Sequence, residues 1–516
     1  MMTGTLTRRD MLRASLTTIA AGLISQPART RAKNPTKQPP NLVIFMPDQL
    51  RAESIACYGH SLVRTPNINR LAREGTRFDH CQCPYPVCTA ARCSMLTGWY
   101  PHTAGHRTVY NLLKPDEPNL FKYLKQNGYD VYWYGKNDVL VHDRFAESAT
   151  EWSFMADGPE WSGKDNPWPF EDRRYFTFLF KAKGNRTTYP DYARVRAAVK
   201  ILEQRRHGKP FCIFLPLFFP HPPFTAPSEF YNVYSPQDIP ALRPALFEGK
   251  PAFYEAIHRS RRLDKLTQDE LRQINAVYLG MISYTDWLLG ELLDAVDRNG
   301  HRDDTAVVFC SDHGEWAGDY GLVEKWSAGM DDALLRVPLI ARIPGGTKGH
   351  VCYELVELLD VMATCLDIAG IEAQHTHFAR SLVSHLKGSA GDPNRAVFSE
   401  GGYNTNEPHC FEPLEAFDAK HIYYPKIALE NESPETITRT TTIRTRPFKL
   451  TVRPQGTSEM YDLQKDPREM HNVYGEAAYA RQQKDLESRM LNWYVRTSDV
   501  VPYGRDDRSL PKYKGV

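Results

Sequence analysis

Five short apolar runs, Asn41–Met46, Val131–Tyr134, Phe211–Leu217, Thr305–Cys310 and Val337–Ala341, constrain this chain more than any other feature of it. A strand with one face in water alternates polar with apolar residues, so an unbroken run of this length calls for a strand buried on both faces. Segments with helical spacing, Tyr192–Gln204 and Leu271–Val296, lie between the runs. Strands that alternate with helices imply an α/β fold, a mostly parallel sheet flanked by helices on both sides. In such sheets ligands bind beyond the carboxyl ends of the strands. Asp48 and Gln49 follow the first run, Lys136 the second, His221 the third, and Asp312 and His313 the fourth. Four strand ends therefore carry charged or metal-binding side chains to one edge.

The C-terminal part reads differently. Thr440–Ile443, Phe448–Arg453 and Glu459–Leu463 are short strands separated by turn residues, and Ala477–Val495 has helical spacing. This predicts a smaller α+β subdomain, an antiparallel sheet with a helix packed on it. Residues 41–410 are assigned to the α/β unit and 411–516 to the subdomain, with the boundary inside the polar, irregular stretch from Glu400 to Thr436.

Charge excludes some partners and points to others. The chain carries 64 basic and 62 acidic side chains, so no global field favours nucleic acid or a charged membrane, and an anionic substrate has to be held by local cations. At the N-terminus Arg8, Arg9 and Arg13 precede an apolar stretch, Leu16–Ile24, that is too short to span a bilayer. Thr7–Arg13 has the paired arginines, apolar pair and trailing cation of a twin-arginine export signal. Residues 1–32 are read as that signal, with small residues Ala28 and Ala32 as cleavage points, and 33–40 as a linker. The expected location is periplasmic or secreted, with no stable membrane insertion after the signal is removed; the competing reading is a basic amphipathic tail.

Of ten cysteines, Cys81, Cys83, Cys88 and Cys93 crowd into one segment. Their spacings match no common zinc template, which leaves core thiols or a reactive position, and Arg92 beside them suits an anion site.

Cys88-Thr-Ala-Ala-Arg92, followed by Ser94-Met-Leu-Thr-Gly98, resembles the sulfatase signature of the alkaline phosphatase superfamily, usually C-x-P-S-R, with alanine in place of the proline and the serine. Further similar segments follow in family order: Met46–Arg51, Thr65–Leu71, Pro220–Pro223, Cys310–Glu315, Glu324-Lys325 and Tyr461–Pro467. The resemblance implies an alkaline-phosphatase-like fold and a sulfuric ester hydrolase whose nucleophile is formylglycine, made from Cys88 by a formylglycine-generating enzyme. Hydrated, that aldehyde is a geminal diol: one oxygen attacks sulfur, and the other hydroxyl later expels sulfate as the aldehyde re-forms. The implied cofactor is Ca2+, held by oxygen from Asp48, Gln49, Asp312 and the modified Cys88, with His313 as a family-permitted variant that admits manganese or zinc. By the same resemblance Arg92 holds the diol, Lys136 and Lys325 bind sulfate oxygens, and His221 protonates the departing alcohol.

One departure stands out. Sulfatases commonly read G-K-x-H where this chain has Gly135-Lys-Asn-Asp138. Either Asp138 takes the proton when the aldehyde is regenerated, or an imidazole such as His142 or His106 does. Asp48 and Asp312 taken singly also suit helix caps, and both lysines suit solvent. The substrate class favoured by the resemblance is a sulfated carbohydrate. An aromatic-rich stretch, Trp152–Phe180, is assigned either to a sugar cleft or to the core. The rivals are a phosphonate or phosphate ester hydrolase on the same scaffold, and a silent glycan-binding protein whose Cys88 is never modified.

Overall fold

The computed structural model describes residues 38–142, 145–153, 166–205, 208–504 and 508. The expected export signal, most of the linker after it and residues 154–165 of the aromatic stretch lie outside the described residues.

Among the described residues, twelve strands form two sheets. The larger holds β1 (Asn41–Met46), β2 (Thr76–Gln82), β3 (Asp130–Tyr134), β4 (Glu151–Ser153), β5 (Phe211–Pro216), β6 (Thr305–Cys310), β7 (Arg336–Arg342) and β8 (His350–Glu357) in the order β4-β3-β5-β1-β6-β7-β2-β8. β7 alone is antiparallel to its neighbours; every other pairing is parallel. β1 lies at the centre, with Leu42 opposite Cys212 of β5 and Ala306 of β6.

The apolar runs are explained by where β1 sends its side chains. Leu42, Ile44 and Met46 enter one hydrophobic core, and Val43 and Phe45 enter the other. With both faces covered, a polar residue along the strand needs a buried partner, as Asn41 at its start has in the Phe211 N–H. On the first of those faces pack α2 (Cys88–Thr97), α3 (Leu120–Gln126) and α6 (Asp360–Ala369). On the other face pack α1 (Pro66–Glu74), α4 (Pro190–Gln204) and α5 (Gln268–Arg298). The long α5 begins with a capping box, in which the Thr267 hydroxyl accepts the Glu270 N–H and the Glu270 carboxylate accepts the Thr267 N–H.

The second sheet is antiparallel, in the order β12 (Glu459–Asp462), β11 (Phe448–Val452), β10 (Thr440–Arg444), β9 (Val397–Gly401). β9 comes from the chain before residue 410, so this sheet draws on residues assigned from sequence to the α/β unit. The last helix, α7 (Ala480–Thr497), lays Leu486 and Met490 on Ile443, Leu450 and Met460. Asp332, just before β7, ties the two sheets together by pairing with Arg444 of β10 at 2.7 Å and Lys449 of β11 at 3.2 Å.

Candidate active site

Because the parallel strands run the same way, the segments after β1, β2, β3, β5 and β6 meet at one edge. Gly135 shows how tightly the strand ends are drawn together: a Cβ there would stand 2.2 Å from the Pro216 carbonyl oxygen, and the next residue, Lys136, donates its N–H to that same oxygen at 2.8 Å. Only glycine permits that approach. The link from β3 to β5 fixes where Lys136 and Asp138 emerge.

Cys88 is the first residue of α2 and is 7% exposed. Burial, followed by the nearby Asp138 charge, pushes its thiol up to about 12, so as an ordinary cysteine it is protonated at neutral pH. Lys136 Nζ lies 3.9 Å from its sulfur and pairs with Asp48 at 2.8 Å and Asp138 at 2.9 Å. Burial works against the ammonium, but Asp138 and Asp48 outweigh it and hold the lysine well above its ordinary range.

Behind the cysteine, Arg92 is wholly buried and binds Asp312 and Asp48 through Nε and Nη2 at 2.8 and 2.9 Å. Its Nη1 makes no hydrogen bond and stands 3.4 Å from Asp138. Burial alone would raise the Asp48 and Asp138 carboxyls. For both, the Lys136 and Arg92 charges prevail and hold the group below its usual value.

Asp48 Oδ1 and His313 Nε2 point to a cation site. Both residues are fully buried, neither atom has a hydrogen-bond partner, and they face each other across 3.7 Å. His313 Nδ1 donates to the Gly314 carbonyl at 3.0 Å, so Nε2 presents a lone pair. Two buried acceptors facing one another without a proton between them are costly unless a positive centre joins them. Asp48, Asp312 and His313 place one ligand atom each within 4.8 Å of one another, which suits a divalent ion.

Gln49 adjoins this group in left-handed backbone (φ 64°), held there by its N–H to Asp312 at 3.0 Å and by Tyr278, whose hydroxyl donates to the Gln49 carbonyl at 2.8 Å. Its side-chain oxygen accepts from Lys325 at 2.8 Å and its amide nitrogen donates to Glu315. The amide thus joins the metal side of the site to Lys325, and its oxygen keeps one lone pair for an ion. Lys325 also pairs with Glu324 at 2.7 Å and lies 3.2 Å from His221 Nε2. His221 Nδ1 donates to the Pro222 carbonyl at 2.6 Å. Burial, and then the Lys325 charge, push His221 down to about 3, so its Nε2 is an acceptor across the neutral range.

Every site residue expected from sequence thus falls in one cluster: Asp48, Gln49, Cys88, Arg92, Lys136, Asp138, His221, Asp312, His313 and Lys325. The alternatives to Asp138 fare less well. His106 commits its ring nitrogens to the Asn111 carbonyl and to Glu117, whereas Asp138, Asp48 and Cys88 bring one ligand atom each within 4.8 Å of one another. His142 is exposed. Glu315 and Glu324 were given no role from sequence, yet they position Gln49 and Lys325; both stand inside the segments that carried the resemblance. Of the aromatic stretch, Tyr175, Phe176, Phe178 and Phe180 are buried, whereas Trp152 is exposed.

The family model described as Sulfatase matches residues 40–371. The chain belongs to the sulfatase family. A second model, described as the C-terminal part of N-sulphoglucosamine sulphohydrolase, matches residues 414–496 of this sulfatase. It is 27% identical to a multifunctional alkaline phosphatase superfamily protein of Trinickia caryophylli, over 88% of this chain and 93% of that one. It is 25% identical to the N-acetylglucosamine-6-O-sulfatase of Bacteroides thetaiotaomicron, over 94% and 90%. Among solved structures, a phosphonate monoester hydrolase of Agrobacterium radiobacter superposes with a TM-score of 0.70 at 23% identity, over 89% of this chain and 96% of that one. Another, described as bound to its substrate D-glucosamine-2-N,6-O-disulfate, superposes with a TM-score of 0.66 at 23% identity, over 89% and 98%. The expected fold is therefore found, and the sulfatase is a sulfuric ester hydrolase.

Proposed function

We propose that this sulfatase is exported by the twin-arginine route and cleaves sulfate esters of a sulfated carbohydrate, using a formylglycine made from Cys88 and a bound Ca2+. The observation that carries this reading is the facing pair of partnerless acceptors, Asp48 Oδ1 and His313 Nε2, beside a Cys88 sulfur flanked by Lys136. Asp48, Asp312 and His313 would hold the cation, with Gln49 and residue 88 beside them. When bound, the ion supplies positive charge that polarises a sulfate oxygen and favours the ionised form of the attacking hydroxyl.

The chain's own groups do the rest. Lys136 and Lys325 neutralise the equatorial sulfate oxygens, and both are held firmly charged by neighbouring carboxylates. The diol hydroxyl at residue 88 attacks sulfur while the S–O bond to the alcohol breaks. An anionic ester that takes up the Lys325 charge offsets what depresses His221, so that the ring can draw a proton from solvent at Nε2 and pass it to that oxygen, while Lys325 stays an ammonium. Asp138 then takes the proton of the second hydroxyl as the carbonyl re-forms and sulfate leaves. Support for a carbohydrate comes from the relatives named for glucosamine substrates.

A second reading, a phosphonate or phosphate ester hydrolase, is favoured by Asp48-Gln49, by Asp138 in place of the histidine, and by the multifunctional relative. Mass spectrometry of the peptide containing residue 88, paired with turnover of an aryl sulfate against the matching aryl phosphonate, decides between them. The expected result is an aldehyde at 88, preference for the sulfate, and no turnover by a folded Cys88→Ala variant. An intact thiol in an active enzyme would overturn the mechanism; preference for the phosphonate would favour the second reading.

A further inference from the structure

Away from the catalytic edge, two cavities of about 510 and 470 Å³ adjoin each other, sharing Asn394, Arg395 and Arg489 as walls. They lie where α7 meets the segment before β9, and Tyr100, just beyond the end of α2, lines the larger. Since Cys88 opens α2, the cavities stand about one helix length, roughly 15 Å, from the nucleophile.

Their chemistry is unlike that of the chain as a whole, in which acids and bases nearly cancel. Six arginines line the two cavities, namely Arg380, Arg395, Arg446, Arg481, Arg489 and Arg496, against three carboxylates, Glu357, Asp392 and Asp485. Arg395 is buried and already answered, by Asp360 at 2.6 Å and Glu357 at 3.3 Å. Arg489 approaches Asp485 only at 3.9 Å and donates to the Asn394 carbonyl at 3.1 Å. Among the described residues, Arg446 donates to the Tyr353 carbonyl and has no carboxylate within 4 Å, and Arg380, Arg481 and Arg496 are exposed with neither a carboxylate nor a hydrogen-bond acceptor for their guanidinium groups. Arg481, Arg489 and Arg496 all belong to α7, so their row runs about 22 Å along the helix.

An aromatic wall stands beside the cations. Phe398 and Trp493 stack with their centroids 4.6 Å apart, and Tyr100 meets Trp493 edge-on at 4.8 Å. Unanswered planar guanidiniums spaced along a concave, partly aromatic surface suit bidentate contacts to anionic oxygens repeated along a chain. A flat lipid surface would reach the rim of such cavities and not their walls.

We infer that these joined cavities are an accessory site that grips sulfate groups of a polymeric glycan at a distance from the ester being cut. The inference rests on the proposal that the substrate is a sulfated carbohydrate. Its consequence is avidity: a polymer held here raises the local concentration of its esters at the catalytic edge without new contacts there.

The test uses the full-length protein with Arg380→Glu, Arg481→Glu and Arg496→Glu combined, positions whose exposure spares the core. In a Cys88→Ala background, dextran sulfate should bind the triple variant roughly tenfold or more weakly than its parent, with a flatter salt dependence. With Cys88 intact, kcat/KM for a small aryl sulfate should stay unchanged while KM for the sulfated polymer rises. Unchanged dextran sulfate binding overturns the inference, as does equal binding of uncharged dextran or equal competition by duplex DNA. Failure of the catalytic reading shows separately, as absence of aryl sulfate turnover in the parent enzyme.

Discussion

With Nδ1 tied to the Pro222 carbonyl, His221 has one nitrogen left for chemistry, and Lys325 faces it at 3.2 Å. A group in that position matters most when the departing oxygen is a poor leaving group. His221→Ala is therefore expected to lower kcat/KM for an alkyl sulfate by about 10²–10⁴-fold and to cost far less with a nitrophenyl sulfate, whose oxygen leaves unprotonated. Equal losses on both substrates would assign the ring to positioning alone. The clustered residues could be picked out from sequence because each follows a strand or stands in a recognisable segment. Their partners were not: that Glu315 meets Gln49, and Glu324 meets Lys325, depends on how the segment between β6 and β7 folds back on itself. Gly314 in that segment already sits where a Cβ would strike the Ala333 carbonyl oxygen at 1.9 Å.

The elements themselves contain one acid whose burial has a measurable effect. Asp286, inside α5, accepts the N–H groups of Asn67 at 3.0 Å and Ile68 at 2.7 Å, and so caps the start of α1 from another helix. Burial outweighs those bonds and raises its carboxyl to about 6. A carboxyl raised in the folded state favours folding in its protonated form. Its contribution is complete below the unfolded value near 3.8 and is lost as pH rises through about 6, for at most about 3 kcal/mol. Asp286→Asn cannot ionise, so the thermal midpoint of the parent, measured relative to this variant, is expected to fall between about pH 4 and pH 7.5; a constant difference would sink the assignment. At this scale the sequence revealed the strands that are apolar throughout and the three turn-separated strands β10, β11 and β12, and concealed the rest. β2 carries Arg77, Asp79 and His80, β8 is an edge strand with an exposed Tyr353, and β4 has three residues. Such strands leave no continuous apolar signal. β9 was hidden for another reason: its partner β10 lies some forty residues on, and pairing over that distance leaves no local trace.

For the molecule as a whole, the densest concentration of buried charge is also where an ion would act on stability. Arg92 touches both Asp48 and Asp312, and it stands close to Asp138 as well. Removing it leaves acids buried without their partner, a loss on the order of 3–5 kcal/mol. Arg92→Leu is therefore expected to melt well below the parent in chelator. Added Ca2+ should raise the melting temperature of both proteins, and of the variant more, because its site has lost a competing cation. A melting temperature indifferent to Ca2+, Mn2+ and Zn2+ in both proteins would remove the metal. The larger sheet and its catalytic edge were foreseeable because parallel topology makes strand ends converge whatever the loops do. The ownership of β9 by the smaller sheet was not.

Cys88 opens a helix in which every residue is buried, and only 7% of its own surface meets solvent. A second protein that has to grip several residues around this thiol finds no purchase once α2 has settled against α3 and α6. On the proposed reading, conversion at this position would be a matter of timing, confined to the interval between synthesis and closure of the core. Protein that folded first would then be locked out of maturation for as long as it stayed folded.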